Sequence, residues 1–201
     1  MIKIIDYKAG NATSVMHAVA HLGYDVAFAR NSQDLEGATH IILPGVGSAK
    51  ATMDSLREMN LISALEDNVL HEKVLFLGIC VGLQILFTHS EEENTDCLGW
   101  INGHVVKFDA SKVRVPQMGW NEVKFINDTP CPARDDYFYF VNSYFAKPEN
   151  KSDLWGTADY DCTFAAAVRR NNIYATQFHV EKSGEAGLAL LKGFLNIGTE
   201  G

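Results

Sequence analysis

Phe76-Leu77-Gly78-Ile79-Cys80-Val81-Gly82-Leu83-Gln84 is the stretch that decides the fold. An apolar run over residues 74–78 enters Gly-x-Cys-x-Gly, and helical spacing follows over 82–89. A run without polar alternation suits a strand covered on both faces, as in a parallel sheet. A strand turning sharply into a helix with a nucleophile at the bend is an elbow, here with sulfur in place of a serine oxygen. Side chains at 78 and 82 would collide with backbone in so tight a turn, which is why glycine stands at both. Cys80 then projects from the C-terminal end of a central strand, at a helix N-terminus that favours thiolate. The competing reading is a buried structural cysteine beside two packing glycines.

The same alternation runs upstream. Residues 2–5, 25–29 and 40–43 read as strands; 12–22, 49–60 and 61–71 carry helical spacing. Strand–helix repetition of this kind predicts an α/β fold, a mostly parallel central sheet with helices on both faces. After about Cys97 the pattern changes. Residues 103–108, 122–126, 137–142, 164–169 and 173–178 are strand-like with few helices between them. This second half is expected to add antiparallel strands and return to the main sheet. Residues 183–197 form a last amphipathic helix. No repeat or linker divides the chain, so one domain over 1–201 is expected.

Lys plus Arg number 17 against 25 Asp plus Glu, a net charge of −8, in a chain of 201 residues that is 47% hydrophobic. That balance argues against a nucleic-acid surface, which needs clustered cations. No stretch approaches the ~20 apolar residues of a membrane helix. The first residues enter a strand pattern at once, without the features of a secretory signal. Cys80, Cys97, Cys131 and Cys162 are far apart and form no C-x-x-C pair. Neither a zinc knuckle nor a disulfide framework is suggested, and a cytoplasmic location is expected.

Gln177-Phe178-His179-Val180-Glu181-Lys182-Ser183 ends another strand. Alternation puts His179 and Glu181 on one side of it. A thiol nucleophile needs a base to move its proton, and the base needs a carboxylate to fix its tautomer. A surface histidine near a charged helix start is the alternative. Leu43-Pro44-Gly45-Val46-Gly47-Ser48 lies at a third strand end. Its backbone N–H groups, with that of Val81, would make an oxyanion hole if strands 40–43 and 74–78 are neighbours.

Gly78-Ile79-Cys80-Val81-Gly82-Leu83-Gln84 together with His179-Val180-Glu181 resembles the class I, triad-type glutamine amidotransferases. Asp6-Tyr7-Lys8-Ala9-Gly10-Asn11, the Pro44-Gly45-Val46-Gly47 loop, Pro116-Gln117-Met118-Gly119-Trp120-Asn121 and Tyr139-Phe140-Val141-Asn142-Ser143-Tyr144 narrow the likeness. Together they resemble the glutaminase subunits of imidazole glycerol phosphate synthases, across essentially the whole chain. The resemblance implies hydrolysis of L-glutamine through a cysteinyl thioester, with no cofactor or metal. The ammonia would pass to a (β/α)8-barrel synthase subunit in a heterodimer serving histidine biosynthesis. It makes Cys80 the nucleophile, His179 the base and acid, and Glu181 the orienting carboxylate. Gly47 and Val81 would fall in the glutamine and oxyanion pocket, with Gly45 and Val46 on the substrate-binding loop whose peptide reorients. Gln84, Glu92, Ser143 and Tyr144 would hold the amino-acid end of the substrate. Asn11, Tyr139 and Lys182 would face the synthase.

The chain departs from the family pattern at Lys8, where glycine is usual, and at Val180, where proline is usual. Gln117 and Asn142 stand where histidines are usual. These two amides leave a second acceptor open: a related glutaminase feeding a barrel synthase that amidates surface-polysaccharide sugars.

Overall fold

The computed structural model describes residues 1–8, 11–126 and 129–198. Ala9 and Gly10 of the first loop lie outside the described residues. The first half alternates β1 (Ile2–Ile5), α1 (Ala12–His21), β2 (Val26–Ala29), β3 (His40–Gly45), α2 (Ala49–Glu58), α3 (Ile62–Glu66) and β4 (Leu75–Cys80). A single turn, α4 (Val81–Gln84), follows the nucleophile strand. The short β5 (His89–Ser90) and β6 (Thr95–Asp96) lead into β7 (Gly103–Lys107), β8 (Gln117–Phe125), β9 (Asp136–Asn142) and β10 (Tyr144–Pro148). Then come β11 (Leu154–Asp159), β12 (Thr163–Arg170), β13 (Ile173–Thr176) and α5 (Gly184–Leu195).

The strands β2-β1-β3-β4-β13 lie side by side and parallel. From β1 to β2 the chain steps one way across the sheet; from β3 to β4 it steps the other. Right-handed crossovers then put α1 and α2 on opposite faces. Accordingly α1 packs beside α5, and α2 beside α4. β3 and β4, covered on both sides, are almost wholly buried, which explains their unbroken apolar runs.

β12 joins β13 antiparallel, β10 and β7 extend the sheet beyond it, and β11, β8 and β9 branch from β12. Aromatic rings bind this half together. Phe138 and Phe178 meet with ring centroids 4.2 Å apart, and Phe125 stands edge-on to Trp155 at 5.2 Å. Phe138, Phe140, Trp155 and Phe178 are fully buried, each stabilising by about 1.5–3 kcal/mol. Phe178 immediately precedes His179, so this core also anchors the segment after β13 that carries the imidazole.

The structure corrects several sequence expectations. The helix expected over 82–89 stops at Gln84. The carbonyls of Ile85, Leu86 and Phe87 accept from the N–H groups of Leu98, Ile101 and Gly99, so they cannot continue a helical ladder. The strand expected from 122 starts at Gln117 instead. Its outer face carries exposed Met118 and Trp120, and Gly119 sits at φ +137°, so the alternation is inverted there. β10 and β11 escaped notice: one ends in Pro148, and the other has register shifts at Gly156. The helix expected over 61–71 ends in a π-type turn, Asp67–His71. Among the described residues, no helix is long and apolar enough to cross a membrane.

Candidate active site

Three strand ends converge. Gly45 of β3 is in register with Cys80 of β4, and Thr176 of β13 with Ile79. The loop after β3, the nucleophile and the His179 segment are thereby brought to one edge of the sheet, outside the carboxyl ends of parallel strands.

At the elbow, Cys80 has φ 56° and ψ −106°, a conformation that costs a non-glycine residue about 1–3 kcal/mol. The glycines beside it are required by contact. A Cβ on Gly78 would lie 2.4 Å from the Gly82 carbonyl oxygen, and one on Gly82 would lie 2.1 Å from that of Leu43. The strained turn is therefore locked between β3 and β4. The dipole expected from a long following helix is reduced, because α4 is only one turn. Polarisation of the sulfur falls to its neighbours. Cys80 Sγ donates weakly to the Val141 carbonyl at 3.9 Å and accepts from Gln177 Nε2 at 3.6 Å.

His179 is 2% exposed, and its Nδ1 lies 2.8 Å from Glu181 Oε1. Its N–H donates to the Tyr139 carbonyl, and Ser183 Oγ donates to the His179 carbonyl at 2.6 Å, so β9 and the start of α5 hold the ring in place. Burial works to lower the imidazole pKa, but hydrogen bonds to Cys80 and Glu181 and the charges of both outweigh it, raising it to about 9. The ring is thus charged through neutral pH. Asn11 Nδ2 donates to the same Glu181 Oε1 at 2.5 Å. Asn11, expected at a synthase interface, uses its side chain to brace the carboxylate.

A cavity of about 290 Å³ opens over Cys80, at the small end of the range for ligand sites. Val46, Gly47, Val81, Gln84, Glu92, Ser143, Tyr144, His179 and Lys182 all border it. Val81 opens α4, so its N–H has no partner within the helix. Val46 is exposed, and Gly47 beside it adopts φ +105°, where a side chain would be strained. The Tyr7 hydroxyl is buried against this loop, near the Val46 N–H and Thr52, without a standard hydrogen bond among the described residues. Glu92 accepts from the Ala49 N–H at 2.8 Å; burial pushes its carboxyl pKa up and that bond opposes the shift. Gln84 is turned inward, its Nε2 donating to the Tyr144 carbonyl at 3.0 Å and to Gln177 Oε1 at 3.1 Å. It braces the pocket wall. Tyr139 is half-buried against Trp120, with ring centroids 5.9 Å apart.

The sequence reading missed Gln177 and Tyr7. Gln177 shares the alternation that put His179 and Glu181 on one side of the strand end, and that was the available signal. Tyr7 carried none, since its role depends on which loop lies across from it.

The model of the family "glutamine amidotransferase class-I" matches residues 3–197. An imidazole glycerol phosphate synthase subunit HisH from Leptospira interrogans is 41% identical over 98% of this chain and 100% of its own length. The HisH subunit from Methanothermobacter thermautotrophicus is 43% identical over 98% of each chain. Among solved structures, one of a glutamine amidotransferase superposes with a TM-score of 0.79 at 17% identity, covering 98% of this chain and 97% of that one. The PurLQS structure from Thermotoga maritima gives 0.75 at 18%, over 97% of each; both likenesses speak for the fold. The chain belongs to the class-I glutamine amidotransferases and, within them, to the family of HisH subunits of imidazole glycerol phosphate synthase.

Proposed function

We propose that this chain is the glutaminase subunit of an imidazole glycerol phosphate synthase, acting in the cytoplasm as a heterodimer with a (β/α)8-barrel subunit. The observation that carries this reading is that Cys80 and His179 border one small cavity while Glu181 holds the His179 ring at 2.8 Å. Cys80 Sγ, having passed its proton to His179, attacks the side-chain carbonyl of L-glutamine as the thiolate. The N–H groups of Val81 and of the Val46–Gly47 loop stabilise the developing oxyanion, each donor being worth about 2.7–4 kcal/mol. His179, charged through neutral pH, hands its proton to the departing nitrogen, so ammonia leaves neutral. A water then opens the thioester, with His179 accepting its proton. Glu92 suits the α-ammonium of the substrate, and Ser143 and Tyr144 wall its amino-acid end.

On β8 and β9, Met118, Trp120 and Tyr137 are 66%, 56% and 57% exposed. So much exposed apolar surface marks a contact site. With Tyr139 and Lys182 it makes the docking face for the synthase. The names of the relatives favour the histidine-pathway acceptor over the sugar-amidation reading left open by the sequence.

The test is glutamate release by the chain alone, with the barrel subunit, and with the barrel subunit plus its nucleotide substrate. The expected result is a low rate alone that rises by orders of magnitude in the full complex. No glutamate release under any condition overturns the reading.

A further inference from the structure

The sulfur of Cys80 sits between two hydrogen-bonding groups with opposite preferences. The Val141 carbonyl, 3.9 Å away, can accept only from the protonated thiol. Gln177 Nε2, at 3.6 Å, is a donor and binds a charged sulfur more strongly than a neutral one. Gln177 is fully buried one residue past β13, and its backbone N–H donates to the Ala166 carbonyl at 2.8 Å. The oxygen and nitrogen ends of a side-chain amide have nearly the same shape, so which end meets the sulfur depends on its other partners.

Those partners fix the direction in two steps. The Tyr144 carbonyl can only accept, so the end of Gln84 that lies 3.0 Å from it is Nε2. The same nitrogen lies 3.1 Å from the Gln177 amide and needs an acceptor there, which is Oε1. Gln177 Nε2 is then left facing Sγ. Reversing Gln84 would set two acceptors against each other, and reversing Gln177 would set two donors against each other. Gln84 and Tyr144 border the cavity over Cys80, whereas Gln177 does not. We propose that Gln177 is a positioning residue that holds an N–H donor on the Cys80 thiolate, and that the Tyr144 carbonyl and Gln84 keep its amide turned that way.

This deepens the glutaminase reading and rests on it, because it assigns a stabilising contact to the same nucleophile. α4 is a single turn, so a helix dipole adds little at the sulfur. His179 stabilises the thiolate only while it carries its proton, and it gives that proton to the leaving nitrogen. The Gln177 amide does not titrate and stays a donor throughout the cycle. When the thioester opens and the thiolate forms again, the same N–H is in place to receive it.

The test uses the complex with the barrel subunit and follows alkylation of Cys80 by iodoacetamide from pH 5 to pH 10, resolved by peptide mass mapping. Gln177→Met keeps the length of the side chain and removes the donor. Its Cys80 labelling rate at pH 6 is expected to fall at least about tenfold below wild type, as loss of a hydrogen bond to a charged group implies. At pH 10, where alkaline solution ionises the thiol, the rate is expected to match or exceed wild type. Gln84→Met leaves Gln177 free to turn either end to the sulfur. Its loss at pH 6 is expected to be smaller, about two- to threefold, and again absent at pH 10. The titratable groups around the sulfur are Tyr7 on the loop after β1, Glu92, Tyr144, His179 and Lys182 around the cavity, and Glu181 behind the imidazole. They are common to all variants, so the ratio to wild type at each pH isolates the amide. A Gln177→Met rate equal to wild type at pH 6 overturns the assignment. So does a rate lowered by the same factor at pH 6 and pH 10, which is what a merely structural role gives. If the Gln177→Met chain does not fold, Gln84→Met decides: a loss confined to low pH supports the contact, and an unchanged or uniformly lowered rate overturns it. Labelling needs no glutamine, so a wild-type complex that labels as expected but releases no glutamate overturns the glutaminase reading instead.

Discussion

The elbow that carries Cys80 and the arm that carries His179 meet at one point but are held by different physics. The elbow is held by exclusion: no Cβ fits at Gly78 or Gly82, and the strained Cys80 conformation is wedged between two strands. The arm is held by a network: Tyr139, Ser183, Glu181 and Asn11 each contribute one hydrogen bond to it or its carboxylate. Exclusion answers a substitution all or none. A network answers in steps, because each bond is worth about 0.5–1.5 kcal/mol when its loss leaves nothing buried and unpaired. The lesson is that local backbone intolerance places the nucleophile, and graded long-range bonding tunes the proton carrier.

The largest expected effect is chemical. His179→Ala is expected to lower glutaminase turnover of the complex by on the order of 10⁴–10⁶-fold. Glu181→Gln is expected to cost roughly one to two orders of magnitude less, because the carboxylate orients and the imidazole moves the proton. Steady-state rates with the barrel subunit decide this. Equal small losses would break the arm's assignment.

Next is the elbow. Gly82→Ala is expected to destabilise the fold by about 3 kcal/mol or more, since its Cβ meets the Leu43 carbonyl oxygen at 2.1 Å. Gly47→Ala meets nothing within 4 Å and bears only the strain of φ +105°, about 1–2 kcal/mol. Denaturant melts of both variants compare them. A larger loss at Gly47 would show that exclusion is not what holds the elbow.

Stability against pH sharpens the arm. The folded-state pKa of His179 is raised from 6.5 to about 9. The native chain therefore holds that proton more tightly than the unfolded chain does. This contribution is fully present below about pH 6.5 and is lost as pH rises toward about 9. Denaturant midpoints of the wild type should fall across that window more steeply than those of His179→Ala. Identical slopes would mean that the ring is not held charged.

The smallest expected effect belongs to Asn11→Ala. It removes one of the two donors on Glu181 Oε1 and should weaken the arm by about 1 kcal/mol without unfolding the chain.

Legibility in the sequence follows the same division. The parallel half could be read because β3 and β4 are buried on both faces and so are apolar without interruption. The elbow could be read because its glycines bracket the cysteine in the chain itself. β8, β10 and β11 were harder. Exposed Met118 and Trp120 invert the pattern of β8, and a proline and a shifted register blur the other two. At the site, Gln84 borders the cavity and also braces Gln177, and Asn11 braces Glu181. Both roles depend on residues more than 90 positions away, and single-chain patterns carry no information about such pairings.

The central claim is that Cys80 alone is the activated thiol. Burial pushes the Cys97 thiol to about 11 and the Cys131 thiol to about 12. Cys162 is exposed, its thiol also raised, by partial burial first and by Asp161. The direct measurement is peptide mass mapping after treating the complex with a glutamine-shaped chloroketone. The account predicts one adduct, on Cys80, formed far more slowly in His179→Ala and suppressed by excess glutamine. An adduct on Cys162 at a comparable rate, or labelling of Cys80 that is indifferent to His179, would contradict it.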